Sequence, residues 1–263
     1  MDLGLKDKVA LVTASSKGLG AATARAFARE GAQVAMCARS GELLKERAAE
    51  MTEETGHTPL TIEADLSNRE DVKRVVSRTL EHYGRVDTLF VNAGGPPPGA
   101  FVELDDEAWY GAVELTLLSA VRLIREVLPG MRERGEGSIV ACTSVAVKQP
   151  VDGLLLSNAL RMGVTGMLKT LSNEVGPDGI RVNMVLPGWT KTERAVKLLS
   201  ARAEKAGNTP EEQEERMTAQ VPLRRMGTPE EFARAAVFLA SPAVGYITGT
   251  SLLVDGGIYK GSL

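Results

Sequence analysis

The chain has 263 residues, 43% hydrophobic and 25% charged, and its 31 basic and 34 acidic residues leave a net charge of −3. That balance suits a globular protein with a substantial core and excludes a disordered, collagenous or disulfide-stapled chain. Nucleic acid and membranes are not expected as partners, because there is no basic block to follow a phosphate backbone and no apolar run near the roughly 18 to 20 residues that span a bilayer.

A charged N-terminus, residues 1–8, without an apolar h-region gives an expected cytoplasmic location. With only His57 and His82, both in polar surroundings, neither a metal site nor a Ser-His triad is expected. Cys37 and Cys142 lie inside apolar stretches and read as buried thiols.

Along the chain, short apolar β-branched runs at residues 8–13, 33–38, 58–64, 86–91, 137–143, 180–186 and 250–254 read as buried strands. Helix-period segments at 18–30, 68–82, 105–134, 154–175 and 229–240 separate them. Parallel strands need crossover helices, so the alternation predicts an α/β fold: one domain over residues 1–263, a doubly wound, seven-stranded parallel sheet with helices on both faces. Two segments break the rhythm, the Pro/Gly loop 94–99 (GGPPPG) and a Glu- and Lys-rich helical insertion at about 191–220. Both begin at carboxyl ends of strands, where such sheets bind ligands, so a rim and a lid are expected; a solvated helical pair is the alternative for the second.

Between the first strand and first helix runs Thr13-Ala14-Ser15-Ser16-Lys17-Gly18-Leu19-Gly20. Small residues there let the backbone approach a pyrophosphate, and the helix start supplies oriented N–H donors. The order of TASSKGLG, Asp65-Leu66, Asn92-Ala93-Gly94, Ser144, Pro187-Gly188 and Val254-Asp255-Gly256-Gly257 resembles the short-chain dehydrogenase/reductase family over nearly the whole chain. The likeness implies a Rossmann fold and a nicotinamide dinucleotide held by the glycine turn. It places Asp65 at the adenine, with Leu66 beside it, and Asn92, Ala93 and Gly94 by the adenosine ribose. Pro187, Gly188, Thr190 and Thr192 then fall around the nicotinamide carboxamide. Ala14 stands where the family's turn has its first glycine, so a negative φ is expected there.

NAD-selective Rossmann proteins end the second strand on an acid that holds the ribose 2′-hydroxyl. Here Ala38 occupies that position and Arg39 and Ser40 follow. A guanidinium can grip a 2′-phosphate that a carboxylate would repel, and Lys17 offers a second cation, so NADP(H) is expected over NAD(H).

The family's catalytic group is a serine after the fifth strand, a tyrosine thirteen residues on, a lysine four beyond it, and an asparagine on the preceding long helix. Residues 163–188 align without gaps and put Ser144, Ser157, Arg161 and Thr116 at those four positions. Only the serine is kept. A serine hydroxyl is shorter than a phenol and far less acidic, and an arginine can bind ribose hydroxyls or an anion but cannot relay protons. No tyrosine offers a substitute, and Lys148 is the nearest other acid. The expected function is NADP(H)-dependent oxidoreduction of a carbonyl, acyl-thioester or hydroxyl substrate, resembling the 3-oxoacyl-(acyl-carrier-protein) reductase branch with an altered site. The alternative is a catalytically silent NADP(H)-binding sensor or partner subunit. The resemblance also implies a homo-oligomer, a tetramer or dimer.

Overall fold

Consecutive side chains of a strand face opposite sides of a sheet, so a strand apolar throughout must be covered on both faces. The computed structural model describes residues 1–262. Its strands are β1 (Val9–Thr13), β2 (Gln33–Ala38), β3 (Leu60–Glu63), β4 (Thr88–Val91), β5 (Gly137–Cys142), β6 (Ile180–Pro187) and β7 (Ser251–Val254). Its helices are α1 (Gly18–Arg29), α2 (Gly41–Thr55), α3 (Arg69–Tyr83), α4 (Asp106–Ala112), α5 (Ser119–Arg134), α6 (Leu155–Val175), α7 (Glu193–Ala206), α8 (Pro210–Thr218) and α9 (Pro229–Ala240). In β1, Leu11 joins Val72, Leu123 and Leu168 from α3, α5 and α6, while Ala10 and Val12 join Phe27, Leu44 and Phe232 from α1, α2 and α9. β5 divides the same way, Ile139 and Ala141 against Val140 and Cys142.

The strands form one sheet in the order β3-β2-β1-β4-β5-β6-β7, every pairing parallel. The expected Rossmann architecture is therefore the observed one. β1 pairs with β2 on one side and with β4 on the other, Ala10 facing both Val34 and Thr88. Connections leave β1 and β4 toward opposite edges, which opens a crevice above their carboxyl ends.

Boundaries differ from the sequence reading where local chemistry intervenes. The third strand starts at Leu60 rather than 58, after Pro59, which has no N–H for a ladder at this sheet edge. Only Leu44, Ala48 and Met51 of α2 are fully buried, so its apolar stripe is too thin to stand out, although Ser40 caps its start and Gly56, at φ 76°, ends it. The single helix expected over 105–134 is two α-helices joined by a π-helical segment, Val113–Leu118. The 191–220 insertion is the helical pair α7 and α8. Among the described residues no helix is long and apolar enough to cross a membrane, and no cluster of three metal-ligating side chains occurs.

Candidate active site

The turn after β1 is fixed by hydrogen bonds to neighbouring strand ends. Thr13 Oγ1 accepts from the Asn92 N–H at 2.8 Å and lies 2.7 Å from Asn92 O, tying β1 to β4. The Asn92 side-chain amide reaches the Thr13 and Ala14 carbonyls at 3.4 Å. Buried Ser15 donates to the Cys37 carbonyl from its N–H at 3.0 Å and from Oγ at 3.3 Å, and Leu19 packs toward the Phe27 cluster. Cys37 is itself buried, its thiol pushed up to about 12 by loss of solvent, which makes it a packing residue.

Helix α1 starts without a side-chain cap on Lys17 and without an acid in its first turn. By contrast α2, α3, α4 and α7 are capped by Ser40, Asn68, Asp105 and Thr192 and carry acids there. The first N–H groups of α1 are thus left to an anion, and the residues present fit a dinucleotide pyrophosphate. Gly18 and Thr192 meet across this turn: a Cβ on Gly18 would lie 3.3 Å from Thr192 Cγ2. Ser16 beside them is half-buried.

Two expectations for the turn are corrected. Ala14 does adopt positive φ, 48°, so the residue replacing glycine sits in the left-handed region, forced there by the tight reversal between β1 and α1. Ala14→Gly is accordingly expected to raise stability by about 1 kcal/mol, read as a higher midpoint in thermal denaturation; an unchanged or lower midpoint would contradict strain at this position. Lys17 is not a spare cation: its ammonium pairs with Glu193 of α7 at 2.8 Å. Opposite charges separated by 176 positions in sequence meet only through the fold.

Arg39 is exposed at the end of β2 and lines a groove of about 490 Å³ with Glu63, Ala64, Asp65, Asp71 and Arg74. Arg74 is committed to Asp71 and to the Glu63 carbonyl, holding the Asp71 carboxyl below its usual range. Arg39 forms no ion pair among the described residues. Asp65 Oδ1 accepts from the Ser67 N–H at 3.0 Å and from the Ser67 hydroxyl at 2.7 Å, a local capping role, and Leu66 is core.

The four catalytic-position residues converge at the carboxyl ends of β4 and β5. Ser144, half-buried, accepts from the Ala146 N–H at 3.0 Å as the cap of a 3-10 turn, Val145–Val147, which leaves its own O–H proton without a partner among the described residues. Ser157 is buried and accepts from Arg161 Nε at 3.3 Å, one helical turn on. Arg161 Nη1 donates to the Cys142 carbonyl at 2.8 Å. Thr116 lies in the π-helical segment, and its buried hydroxyl, like that of Thr143, has no hydrogen-bond partner among the described residues. With Asn92, Ala93 and Arg161 these two threonines border a cavity of about 10 Å³, room for one water.

Gly188 packs so closely on the last strand's end that a Cβ would fall 2.7 Å from Asp255 Cα. Beyond Pro187, Thr190 is buried and Thr192 Oγ1 accepts from the Ala195 N–H at 3.2 Å. The structure adds a residue that sequence reading missed, Arg194, whose guanidinium donates to the Gly95 and Pro96 carbonyls at 2.9 and 3.0 Å and so fastens α7 to the loop after exposed Gly94. Helix periodicity says nothing about such a contact. Tyr83 donates to Val34 O near the opposite end of β2, while Tyr110 and Tyr246 are exposed. Lys148 is exposed at the end of the Ser144 turn.

Comparison with known proteins agrees with this geometry. Residues 13–259 match the family model described as enoyl-(acyl carrier protein) reductase. A 3-oxoacyl-(acyl-carrier-protein) reductase from Vibrio cholerae is 35% identical over 257 residues, covering 98% of this chain and 99% of that protein. The crystal structure of L-sorbose reductase from Gluconobacter frateurii, complexed with NADPH and L-sorbose, superposes with a TM-score of 0.94 at 35% identity over 99% of this chain and 100% of that one. An NADPH-bound short chain oxidoreductase from Pseudomonas aeruginosa containing an atypical catalytic center superposes with a TM-score of 0.88 at 30% identity, over 98% of this chain and 100% of that one.

Proposed function

The chain belongs to the short-chain dehydrogenase/reductase family, and from that premise we propose that it is an NADP(H)-dependent oxidoreductase acting on a carbonyl or hydroxyl substrate through an altered site. The observation that carries this reading is the unspent Ser144 hydroxyl, aligned by its turn in the same crevice as the uncapped start of α1. Relatives that bind NADPH, one of them with an atypical catalytic center, support it.

The nucleotide, when bound, supplies a hydride. Everything else falls to this chain. The α1 N-terminus and the Ser15–Gly20 turn hold the pyrophosphate, Arg39 the 2′-phosphate, Asp65 and Asn92 the adenosine end, and Thr190 and Thr192 the carboxamide end. Arg161, fixed by Ser157 and the Cys142 carbonyl, presents its free N–H groups to the ribose side or to a substrate anion. Ser144 donates its hydroxyl proton to the substrate oxygen as a hydrogen bond and stabilises the charge that grows there. The proton that completes reduction comes from water, since position 157, where the family has its tyrosine, is a buried serine. α7 and α8 cover the crevice as a lid, latched at Lys17–Glu193 and at Arg194. Tyr110 and Met162, exposed on α4 and α6, suit contact with another copy of the chain in a homo-oligomer.

A second reading is kept by the burial of Ser157 where the family has its proton donor: a silent NADP(H) binder. NADPH titration followed by its fluorescence, coupled to a panel of ketones, acyl thioesters and alcohols, separates the two. The oxidoreductase binds NADPH about tenfold or more tighter than NADH, a preference Arg39→Asp removes, and oxidises NADPH with at least one panel member. NADPH binding without turnover, with activity gained only in the Ser157→Tyr/Arg161→Lys double variant, would instead establish the silent binder.

A further inference from the structure

Arginines with work to do inside a fold are commonly matched by a carboxylate, and this cleft provides such a match for one of its cations. Lys17 is neutralised by Glu193. The next residue of α7, Arg194, has no carboxylate within ion-pairing distance among the described residues, and neither has Arg161. Both guanidiniums spend two N–H groups on uncharged oxygens: Arg194 on Gly95 O and Pro96 O, Arg161 on Cys142 O and Ser157 Oγ. Each is therefore held in a fixed pose with donors and a full positive charge left over.

The two also stand at one loop. Arg161 borders the cavity lined by Asn92 and Ala93, and Arg194 lies so close to Gly95 that a Cβ there would fall 2.1 Å from its guanidinium carbon. Desolvation first, and then the charge of Arg161, press Arg194 below the ordinary arginine range, as expected for like charges facing one cleft. Two fixed cations without counter-charge at the mouth of a site built for a hydride acceptor are a receptor for an anion.

We propose that the substrate is an oxo acid, a carbonyl compound carrying a carboxylate, whose anion is held between Arg161 and Arg194 while its carbonyl meets Ser144. The inference rests on the hydride-transfer reading above. In the reductive direction the carbonyl carbon gains the hydride and its oxygen gains a proton from water, so NADPH and the oxo acid give NADP+ and the hydroxy acid; the carboxylate takes no part in the redox step. Its role is to orient, and its charge selects against neutral ketones.

Calorimetric titration of the NADP+-bound protein with four- to eight-carbon 2-oxo and 3-oxo acids, each beside its methyl ester, tests this without requiring turnover. At least one acid is expected to bind about tenfold or more tighter than its ester. That ratio should fall toward one in Arg194→Met and recover in part in Arg194→Lys, a variant that also guards against a folding defect. Equal binding of every acid and its ester, or no binding by any acid, overturns the proposal. So does an Arg194→Met variant whose chief loss is NADPH affinity, which would assign the guanidinium to the nucleotide's phosphates. Selective acid binding without NADPH oxidation would leave the anion site standing and sink the hydride-transfer reading instead.

Discussion

Ser144→Ala is expected to lower kcat/KM for any substrate the protein turns over by about 100-fold or more, while NADPH affinity stays within about twofold. Removing one preorganised donor from a developing oxyanion typically costs about 2.7 to 4 kcal/mol of transition-state stabilisation. Here the loss should sit toward the upper part of that range, because the phenol that would share the task is absent and position 157 is a buried serine engaged by Arg161. The same substitution removes the cap on the Val145–Val147 turn, a stability loss of about 1 kcal/mol. Steady-state kinetics and a melting curve recorded together keep the two effects apart. Turnover retained in Ser144→Ala would remove the serine from the mechanism.

The second large effect is expected at Gly20. A Cβ there would lie 2.2 Å from the Ala14 carbonyl oxygen and 2.9 Å from both the Ala14 carbonyl carbon and Asn92 Nδ2. Two of those three atoms belong to backbone, so α1 would have to move away from β1 and β4. Gly20→Ala should cost about 3 kcal/mol of stability and weaken NADPH by at least about tenfold, because the shift displaces the N–H groups that face the pyrophosphate. Denaturant unfolding and fluorescence titration of one preparation measure both quantities. A Gly20→Ala protein with an unmoved midpoint and unmoved affinity would show that the turn tolerates separation. The contrast with Ala14→Gly is informative, since that exchange relieves a conformation whereas this one creates a collision.

Most of the scaffold could be read from the chain because its signals are local. Seven apolar runs mark the strands, and the helix-period segments at 68–82 and 229–240 match α3 and α9 closely. The α2 helix was harder, for three buried residues in fifteen leave little periodicity. The conversion of Val113–Leu118 to a π-helix has no sequence rule behind it, yet it is what sets the Thr116 hydroxyl in the cavity beside Arg161.

At the site, the spacing of Ser144, Ser157 and Arg161 was legible because two of them lie one turn apart on a single helix and the third caps the turn just after the preceding strand. Pairings between distant segments were not. Lys17 is exposed and basic in a glycine turn, and nothing near it in sequence announces Glu193. Arg194 reads as one more charged residue of a polar insertion until the fold carries it to the Gly95 carbonyl. Ala14 shows the same limit in the backbone: its departure from glycine was visible, but its positive φ was not.

The strand order also has a consequence in time. β1 pairs with β2, which follows directly, but its other neighbour is β4, whose pairing residues begin at Thr88. During synthesis the first strand therefore waits with one edge bare until the chain has grown almost eighty residues further, and the crevice between β1 and β4 does not exist before then. Ser144 and Arg161 arrive later still, and the β7 edge comes last, with Gly188 anchored to the Val254 carbonyl. Nascent chains should become resistant to protease first on the β1-β2-β3 side of the sheet and last at the β7 edge, and the capacity to retain a nucleotide should emerge only once most of the polypeptide has left the ribosome.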